Sequence, residues 1–284
     1  MRPVRALQVS DLHTGTAEEP EVEADLRTLV AETEPELVIA SGDLTHRNMP
    51  QQHERAATLL RSLDRPLLVV PGNHDIPRWP PSRFTATFDE FNRVWPELEP
   101  VYRSERLVAC GLNSVRPWKQ QGGALRRHQI ERVAATFRDT PGGALRIVAL
   151  HHHLLGAPWR TAKRTIANRS TVLGALVDAG AELILSGHVH QSAVEERREF
   201  EVVRNQVHAT TVVSAPGLGQ PRPKRRGEAR GLHLFEADDR SLTVTTYAWT
   251  GDWCPIAERR FPRGPEPLAV TGQRPEARSQ STLS

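Results

Sequence analysis

Residues 67–75 read LLVVPGNHD, an apolar run that passes directly into a cluster of polar residues. Four apolar residues of the β-forming type run into Pro-Gly, a pair that ends strands and begins turns. Asparagine, histidine and aspartate follow at once, and their side chains bind metals or transfer protons. Because α/β enzymes build their sites where strands end and loops begin, the stretch predicts a strand that delivers functional residues to a site.

The same arrangement, an apolar run followed by a polar cluster, recurs at four other places. These are residues 4–13 (VRALQVSDLH), 36–43 (ELVIASGD), 145–153 (LRIVALHHH) and 183–190 (LILSGHVH). A chain that needed histidines only for packing would not place them repeatedly at the ends of strands. Carboxylate, amide and imidazole groups together suit a pair of divalent cations about 4 Å apart, which neutralise phosphoryl oxygens and generate hydroxide at neutral pH. The five clusters therefore predict a two-metal phosphoesterase site.

Apolar periodicity predicts how the elements between the clusters are organised. The first 70 residues predict a β-α-β-α-β unit of a layered α/β domain, with strands at 4–10, 36–40 and 66–70 and helices at 18–32 and 51–63. Residues 77–100 hold five prolines, three phenylalanines and two tryptophans. We expect this segment, here called the cap segment, to form an irregular or helical cap near the site.

The remaining elements favour one domain that ends near residue 264. We expect a hairpin over 101–112 with its turn near Ser104 and Glu105, helices at 126–138 and 171–179, and strands at 145–150 and 183–185. From Ala193 onward the pattern predicts strands at 193–203, 207–213, 231–236 and 242–249. We expect a second sheet packed on the first. Residues 265–284 are rich in Pro, Gly, Ser and Gln, so this tail is expected to be disordered.

Composition narrows the class of protein. The chain has 284 residues, 38% hydrophobic and 25% charged, and no apolar run approaches the roughly 18 residues that a membrane span requires. The first cluster begins after only ten residues, so we expect no signal peptide, no membrane partner and a cytoplasmic protein. Cys110 and Cys254 are far apart in sequence, which disfavours a disulfide scaffold or a zinc-thiolate site. The net charge of +3 is compatible with anionic substrates.

The five clusters, taken in order, resemble those of the calcineurin-like metallophosphoesterase superfamily over about residues 4 to 250. Within it, the wording Gly-Asp-Leu-Thr at 42–45 and Gly-Asn-His-Asp at 72–75 is similar to that of the small bacterial cyclic-nucleotide phosphodiesterase group. The resemblance also includes the overall length and the lack of long insertions. It implies an α/β fold in which a two-sheet β-sandwich is flanked by helices, giving four layers.

The resemblance further implies a set of metal ligands. They are Asp11, His13 and His190 for one metal, Asn73, His188 and one histidine of the triplet 151–153 for the other, and Asp43 for both. A carboxylate has two oxygens for two cations, and neutral imidazoles add affinity without cancelling positive charge. Within the triplet, His151 directly follows the strand and matches the family's ligand position, while His152 is the alternative. His153 stands where the family often has proline, and we expect it in the loop and not as a ligand.

His74 matches the family's catalytic histidine, which contacts the phosphoryl oxygens or protonates the leaving oxygen. Asp75 could fix the tautomer and charge of His74, and the alternative is a histidine that only orients Asn73. A hydroxide bridging the two metals would be the nucleophile. The ligand types fit manganese, iron or zinc.

Five further histidines carry weaker expectations. His46 stands where the cyclic-nucleotide branch frequently has an acidic residue, which leaves the exact substrate open, and it could line the pocket. The other four fall on helix or strand patterns and are interpreted as ordinary surface or packed residues: His53, His128, His208 and His233.

The sequence thus predicts a metal-dependent phosphodiesterase for small phosphodiesters, with 3',5'-cyclic AMP as the leading candidate. A nuclease related to the family's DNA-repair branch is the alternative, supported by the basic segment 221–230, which could steer phosphates or simply be a solvated loop. Against a nucleic-acid partner, the C-terminal part is too short for a DNA-binding cap. A phosphomonoesterase, a phospholipid head-group hydrolase and an inactive scaffold are further alternatives.

Overall fold

The computed structural model describes residues 3–16, 20–159, 161–201, 206–219, 226–263 and 266–267. The strands in this part are β1 Val4–Val9, β2 Leu37–Ala40, β3 Leu67–Val69, β4 Val101–Arg103, β5 Leu107–Leu112, β6 Leu145–Leu150, β7 Leu183–Ser186, β8 Ala193–Glu201, β9 Gln206–Ser214, β10 Gly231–Ala237, β11 Ser241–Trp249, β12 Trp253–Pro262 and β13 Glu266–Pro267. The helices are α1 Pro20–Thr33, α2 Pro50–Arg61, α3 Ser82–Thr85, α4 Asp89–Val94, α5 Arg127–Arg138 and α6 Arg169–Asp178. None of these helices has the length and apolar character needed to cross a membrane.

The N-terminal elements form the predicted β-α-β-α-β unit, in which β1, β2 and β3 are parallel neighbours. Helix α1 begins at Pro20, whose ring presets a helical φ, and carries Glu21 and Glu23 in the first turn, where acidic groups complement the helix dipole. Its buried residues recur every three or four positions: Val22, Leu26, Leu29 and Val30. This apolar stripe packs the helix against the sheet.

Successive residues of each strand alternate between two hydrophobic cores. In β2, Leu37 and Ile39 enter the core shared by the two sheets, while Val38 and Ala40 face helices α1, α2 and α4. In β6, alternate residues face either the shared core or helices α5 and α6. The predicted fold class is therefore confirmed: two sheets are stacked on each other and covered by helices on both outer faces.

The sequence led us to expect that the C-terminal strands form a second sheet of their own. In the structure they are divided between the two sheets. One sheet has the order β12-β11-β10-β1-β2-β3, and the other has β13-β9-β7-β6-β5-β4 with β8 paired to β9. Strands β10 to β12 thus extend the N-terminal sheet, with Phe235 of β10 opposite Ala6 of β1. The side chains of both residues enter the shared core, so burial of the apolar faces explains this allocation.

Strand β12 was not predicted, and it forms the edge of the first sheet. Most of its residues are exposed, and Pro255 stands beside a register shift in the pairing with β11. Proline is tolerated at such an edge because its missing N–H breaks no essential ladder bond. Within the predicted tail, Glu266 and Pro267 pair with β9, whereas residues 264–265 and 268–284 lie outside the described residues. The single-domain boundary at 264 stays a prediction.

The cap segment contains the short helices α3 and α4, in keeping with the expected irregular or helical cap. Phe91 of α4 contacts the ring of His53 in α2 edge-on, with ring centroids 6.2 Å apart. The hairpin predicted next is present as the antiparallel pair β4 and β5. The cap segment is thereby held between α2 and the second sheet.

Candidate metal centre

All seven predicted metal ligands and His74 lie in loops that follow five strands of the two sheets. Asp11 and His13 follow β1, Asp43 follows β2, Asn73 and His74 follow β3, His151 follows β6, and His188 and His190 follow β7. Backbone hydrogen bonds connect these loops, from Asp11 N to the Gly42 carbonyl at 2.9 Å and from Gly187 N to the His151 carbonyl at 3.0 Å. The ends of parallel strands thus bring residues nearly 180 positions apart into one cluster.

The backbone is strained at this cluster. Positive φ angles, which non-glycine residues rarely adopt, occur at Asp11 (52°), His13 (48°), Asp43 (51°), His188 (73°) and His190 (58°). In the described part of the chain only three further non-glycine residues share this conformation. Strained residues persist where the surrounding structure holds them in place, and they cluster at functional sites.

Two glycines permit the close approach of the loops. A Cβ on Gly72 would overlap the backbone N and Oδ1 of Asp43, and a Cβ on Gly187 would overlap Ser10 Oγ and lie 2.6 Å from Asp11 Oδ2. Any larger residue would push the two aspartates away from their neighbours. The motifs Gly-Asn-His-Asp and Gly-His-Val-His therefore begin with glycine because a larger residue would not fit there.

The first group of convergent side chains consists of Asp11, His13 and His190, all buried. Oδ2 of Asp11 accepts hydrogen bonds from Ser10 Oγ at 2.7 Å and from the His188 backbone N at 2.9 Å. Its Oδ1 lies 3.0 Å from His190 Nε2, which in turn lies 3.1 Å from His13 Nε2. Two imidazole nitrogens and a carboxylate oxygen thus face one point, as a cation requires.

The second group consists of Asp43, His151 and His188, again buried. His151 Nε2 lies 3.3 Å from Asp43 Oδ1 and 3.1 Å from His188 Nδ1. The side-chain oxygen of Asn73 lies 3.2 Å from the same Nε2, so Asn73 joins the group. This set matches the residues expected around the second metal.

Asp43 stands between the two groups. Its Oδ1 faces His151, while its Oδ2 lies 3.8 Å from His13 Nε2. Among the described residues no donor gives a hydrogen bond to Asp43 Oδ2 or to Asp11 Oδ1, although both atoms are buried. An unsatisfied buried carboxylate oxygen costs several kcal/mol, and a bound cation would remove that cost. The residues present therefore fit two cations that share Asp43.

The electrostatics of the cluster also favour cations. Burial lowers the pKa of His13 to about 3 and that of His188 well below its ordinary value, so both rings are neutral with a lone pair to donate. Burial would raise the pKa of Asp43, but the charges of His151 and His74 outweigh it and keep this carboxyl ionised. Burial alone would lower the pKa of His151, yet Asp43 raises it to about 8. The Asp43 carboxylate thus favours a positive charge at the position of the His151 ring.

Backbone carbonyls fix which nitrogen each histidine presents. His151 Nδ1 donates to the Ser41 carbonyl at 2.9 Å, and His188 Nε2 donates to the Gln121 carbonyl at 3.1 Å. The opposite nitrogen of each ring is left to face the cluster, which is the arrangement that orients metal-binding histidines. Neither partner can be predicted from the sequence, because a backbone carbonyl is present at every residue and carries no signal of its own.

The histidine triplet separates in the structure. Only His151 reaches Asp43, whereas His152 Nδ1 lies 2.8 Å from Ser114 Oγ. The ring of His153 lies nearly parallel to that of His188, with centroids 5.6 Å apart. Neither His152 nor His153 belongs to any of the three groups of convergent ligand atoms found among the described residues. The geometry favours His151 as the ligand of the triplet.

The expectation that Asp75 fixes the tautomer of His74 is wrong. The Asp75 carboxylate accepts hydrogen bonds from the backbone N of Leu44 (3.1 Å), Thr45 (2.8 Å) and Gly72 (2.8 Å). His74 Nδ1 donates instead to the His46 carbonyl at 2.9 Å. Asp75 therefore connects the loop of Asp43 to the loop of Asn73. Its short side chain accepts hydrogen bonds from backbone N–H groups of both loops.

His74 is half-buried beside the first group. Its ring meets that of His13 edge-on with centroids 4.8 Å apart, and its backbone N donates to Asp43 Oδ1 at 2.8 Å. The ring of His46 stacks near it at 5.9 Å, and both line a cavity of about 930 Å3. The expectation that His46 lines a pocket is confirmed.

The other histidines behave as predicted where they are described. His53 and His233 are buried, with Nε2 2.9 Å from Asn48 Oδ1 and 3.0 Å from Ser192 Oγ respectively. His128 is exposed, and the side chain of His208 lies outside the described part.

In the described part of the chain, neither the basic segment nor the cysteines contribute a side chain to the two groups. Residues 220–225, with three of the five basic side chains, lie outside the described residues. The Arg226 guanidinium lies 5.8 Å from the ring centroid of Trp159, and Arg230 is buried, with 7% of its surface exposed. Phosphate steering by this segment stays a prediction. Cys110 and Cys254 are both free thiols.

A buried pair of carboxylates, surrounded by imidazoles at the strand ends of an α/β sandwich, is typical of hydrolases that use two metal ions. Residues 4–192 match the calcineurin-like phosphoesterase family, and the chain belongs to that family. The family uses a dinuclear metal centre, and the chain is a metal-dependent phosphoric ester hydrolase.

Curated relatives share modest identity with the chain. It is 24% identical over 215 residues to the 3',5'-cyclic adenosine monophosphate phosphodiesterase CpdA of Haemophilus influenzae, covering 70% of this chain and 74% of the relative. It is also 24% identical over 232 residues to a protein of Pseudoalteromonas named as a probable cyclic nucleotide phosphodiesterase, covering 79% and 82%. Among solved structures, a dimetal phosphatase from Danio rerio aligns with a TM-score of 0.63 at 10% identity, over 92% of this chain and 99% of that chain. This last likeness concerns the fold alone.

Proposed function

We propose that the chain is a two-metal phosphodiesterase that hydrolyses small phosphodiesters, with 3',5'-cyclic AMP as the leading candidate. The position of Asp43 carries the proposal, because its two oxygens face two separate groups of ligand atoms. The names of the two curated relatives support the choice of substrate, although the identity is only 24%. A charge-dense, buried centre of this kind suits a substrate whose phosphoryl group is anionic.

In this proposal each metal has its own set of ligands. They are Asp11, His13 and His190 for one, Asn73, His151 and His188 for the other, and Asp43 for both. Bound there, two divalent cations would supply positive charge for the phosphoryl oxygens. They would also lower the pKa of a water, so that it could lose a proton to solvent at neutral pH and attack phosphorus. Oxygen and nitrogen ligands without thiolate fit manganese, iron or zinc.

His74 is proposed to act on the substrate directly. The His46 carbonyl holds a proton on Nδ1, so Nε2 is the nitrogen that gains or gives a proton. A protonated Nε2 would donate a hydrogen bond to a phosphoryl oxygen or give its proton to the alcohol oxygen as the P–O bond breaks. Asp75 contributes indirectly, since it fixes the two loops that carry Asp43 and Asn73.

The test compares a diester with a monoester. Hydrolysis of bis(p-nitrophenyl) phosphate and of p-nitrophenyl phosphate is measured with added Mn2+, with chelator, and after metal is restored. We expect diester cleavage that the chelator abolishes and metal restores, and that extends to 3',5'-cyclic AMP. A protein with confirmed metal content that cleaves only the monoester, or only single-stranded DNA, would contradict the proposal.

A further inference from the structure

A cavity of about 930 Å3 opens beside His74 and Asn73 and extends under the cap segment. Its volume lies near the upper end of the roughly 300–1,000 Å3 of small-molecule sites. Its walls come from the loop 46–49, from the cap segment and from Gln120 and Gln121. Because the cavity begins at His74, a group attached to the phosphate at the metal centre would extend into it.

The walls of this cavity expose large apolar side chains. Trp79 has 63% of its surface exposed and Met49 has 49%. Both residues line the cavity, and they are two of the six large apolar residues with comparable exposure in the described part of the chain. Exposed apolar surface concentrated in this way marks a binding site.

Trp79 has the geometry of a stacking platform. The guanidinium of Arg78 lies 5.0 Å from the centroid of the indole. The indole is largely exposed and lines the cavity, so a planar ligand in the cavity can stack on it. Asp89 and Glu90, at the start of α4, line the same cavity and offer acceptors for amino groups of such a ligand. A flat ring that carries amino groups fits these surroundings, because it can stack on the indole and donate hydrogen bonds to the two carboxylates.

The platform is fixed in place by a buried arginine. Arg83 donates hydrogen bonds to the carbonyls of Pro77 (2.8 Å), Pro117 (2.6 Å) and Lys119 (2.9 Å). These bonds attach the start of the cap segment to the loop before α5. A preformed wall loses little conformational freedom when a ligand binds, so its contacts contribute to affinity.

We infer that this cavity binds the nucleobase of a nucleotide substrate, with Trp79 as the stacking platform. The inference rests on the proposed function and narrows the class of substrate. The phosphodiester is one whose ester group carries a purine or pyrimidine. Trp79 determines specificity and takes no part in bond breaking. Stacking of a base on an aromatic side chain contributes enough to change affinity about tenfold.

Two competitive inhibitors that differ only in the base test this inference. Inhibition constants for 5'-AMP and for ribose 5-phosphate are measured against hydrolysis of bis(p-nitrophenyl) phosphate. The unaltered protein should bind 5'-AMP about tenfold more tightly than ribose 5-phosphate. Trp79→Ala should remove this preference while leaving the constant for ribose 5-phosphate unchanged, and Trp79→Phe should largely restore it.

Trp118→Ala provides the matched control, since Trp118 is 61% exposed but lines a different cavity. This variant should keep the preference for 5'-AMP. Equal constants for the two inhibitors in the unaltered protein, or a preference that survives Trp79→Ala, would overturn the inference. If no diester is hydrolysed, the proposed function fails, and the same comparison is made by titration calorimetry, where loss of the base preference in Trp79→Ala still decides the inference.

Discussion

The candidate metal centre and the cap segment are neighbours built in opposite ways. The centre consists of buried side chains at strand ends, held by hydrogen bonds between loops and by strained backbone. The cap segment consists of two short helices and irregular turns, with large apolar side chains exposed to solvent. The reacting groups therefore belong to the scaffold of the fold, while the surface proposed to select the substrate is attached to that scaffold.

This division predicts that the two regions can be altered separately. Changes at the centre should affect metal content and turnover, and changes in the cap segment should affect substrate affinity. Four substitutions test the division, from the largest expected effect to the smallest.

Asp43→Ala should have the largest effect, because it removes the carboxylate that stands between the two ligand groups. We expect loss of bound metal and a fall in kcat/KM for the diester of at least about a thousandfold. Metal analysis and diester kinetics measure both. Asp239→Ala, at an exposed position between β10 and β11, is the control. Normal metal content in Asp43→Ala would refute the shared-ligand geometry.

The His151→Ala protein should bind one metal ion per molecule where the unaltered protein binds two. The His152→Ala protein should still bind two. Loss of a residue that only orients a metal ligand lowers metal affinity or activity about 10- to 100-fold. Loss of the ligand itself should therefore lower metal affinity by more than this. His152 is buried against Ser114, and its removal should lower the free energy of unfolding by about 1–3 kcal/mol. Metal analysis combined with urea unfolding separates the two effects. The reverse pattern would assign the ligand to His152.

His74→Ala should lower kcat by about a hundredfold or more while both metals stay bound, as expected for a group that transfers a proton. The exposed His128, replaced by alanine, serves as control. An unchanged kcat would show that His74 only orients Asn73.

Arg83→Met should have the smallest effect on chemistry, because it releases the cap segment without touching the ligand groups. We expect KM for a nucleotide diester to rise about three- to tenfold, since the three hydrogen bonds that hold the wall are lost. The value of kcat and the metal content should not change. Arg127→Met, at a side chain 92% exposed, is the matched control. A loss of metal in Arg83→Met would show that the two regions are coupled.

The difference between the regions also explains what could be predicted from the sequence. The strands that deliver the ligands are short apolar runs that end in clusters of polar residues, so their positions and their order were predictable. His151 was the preferred residue of its triplet because it directly follows β6, and the structure brings that residue to Asp43.

Other features depend on contacts between distant parts of the chain. Strand β12 is an exposed edge that contains a proline and lacks apolar alternation, so no local pattern indicates it. The allocation of β10 to β12 to the first sheet depends on which apolar faces meet in the shared core. Asp75 was assigned to His74 because the two are adjacent in sequence, but its carboxylate lies against the backbone of another loop. The cavity beside the cap segment is lined by residues from separate parts of the chain, so no local sequence pattern predicts its shape.

Anomalous diffraction from crystals of the protein loaded with Mn2+ tests the central claim most directly. We predict two peaks about 4 Å apart, one on each side of the Asp43 carboxylate. One peak should lie among Asp11, His13 and His190, and the other among Asn73, His151 and His188. A single peak, or a pair of peaks remote from Asp43, would contradict a two-metal centre built on that carboxylate.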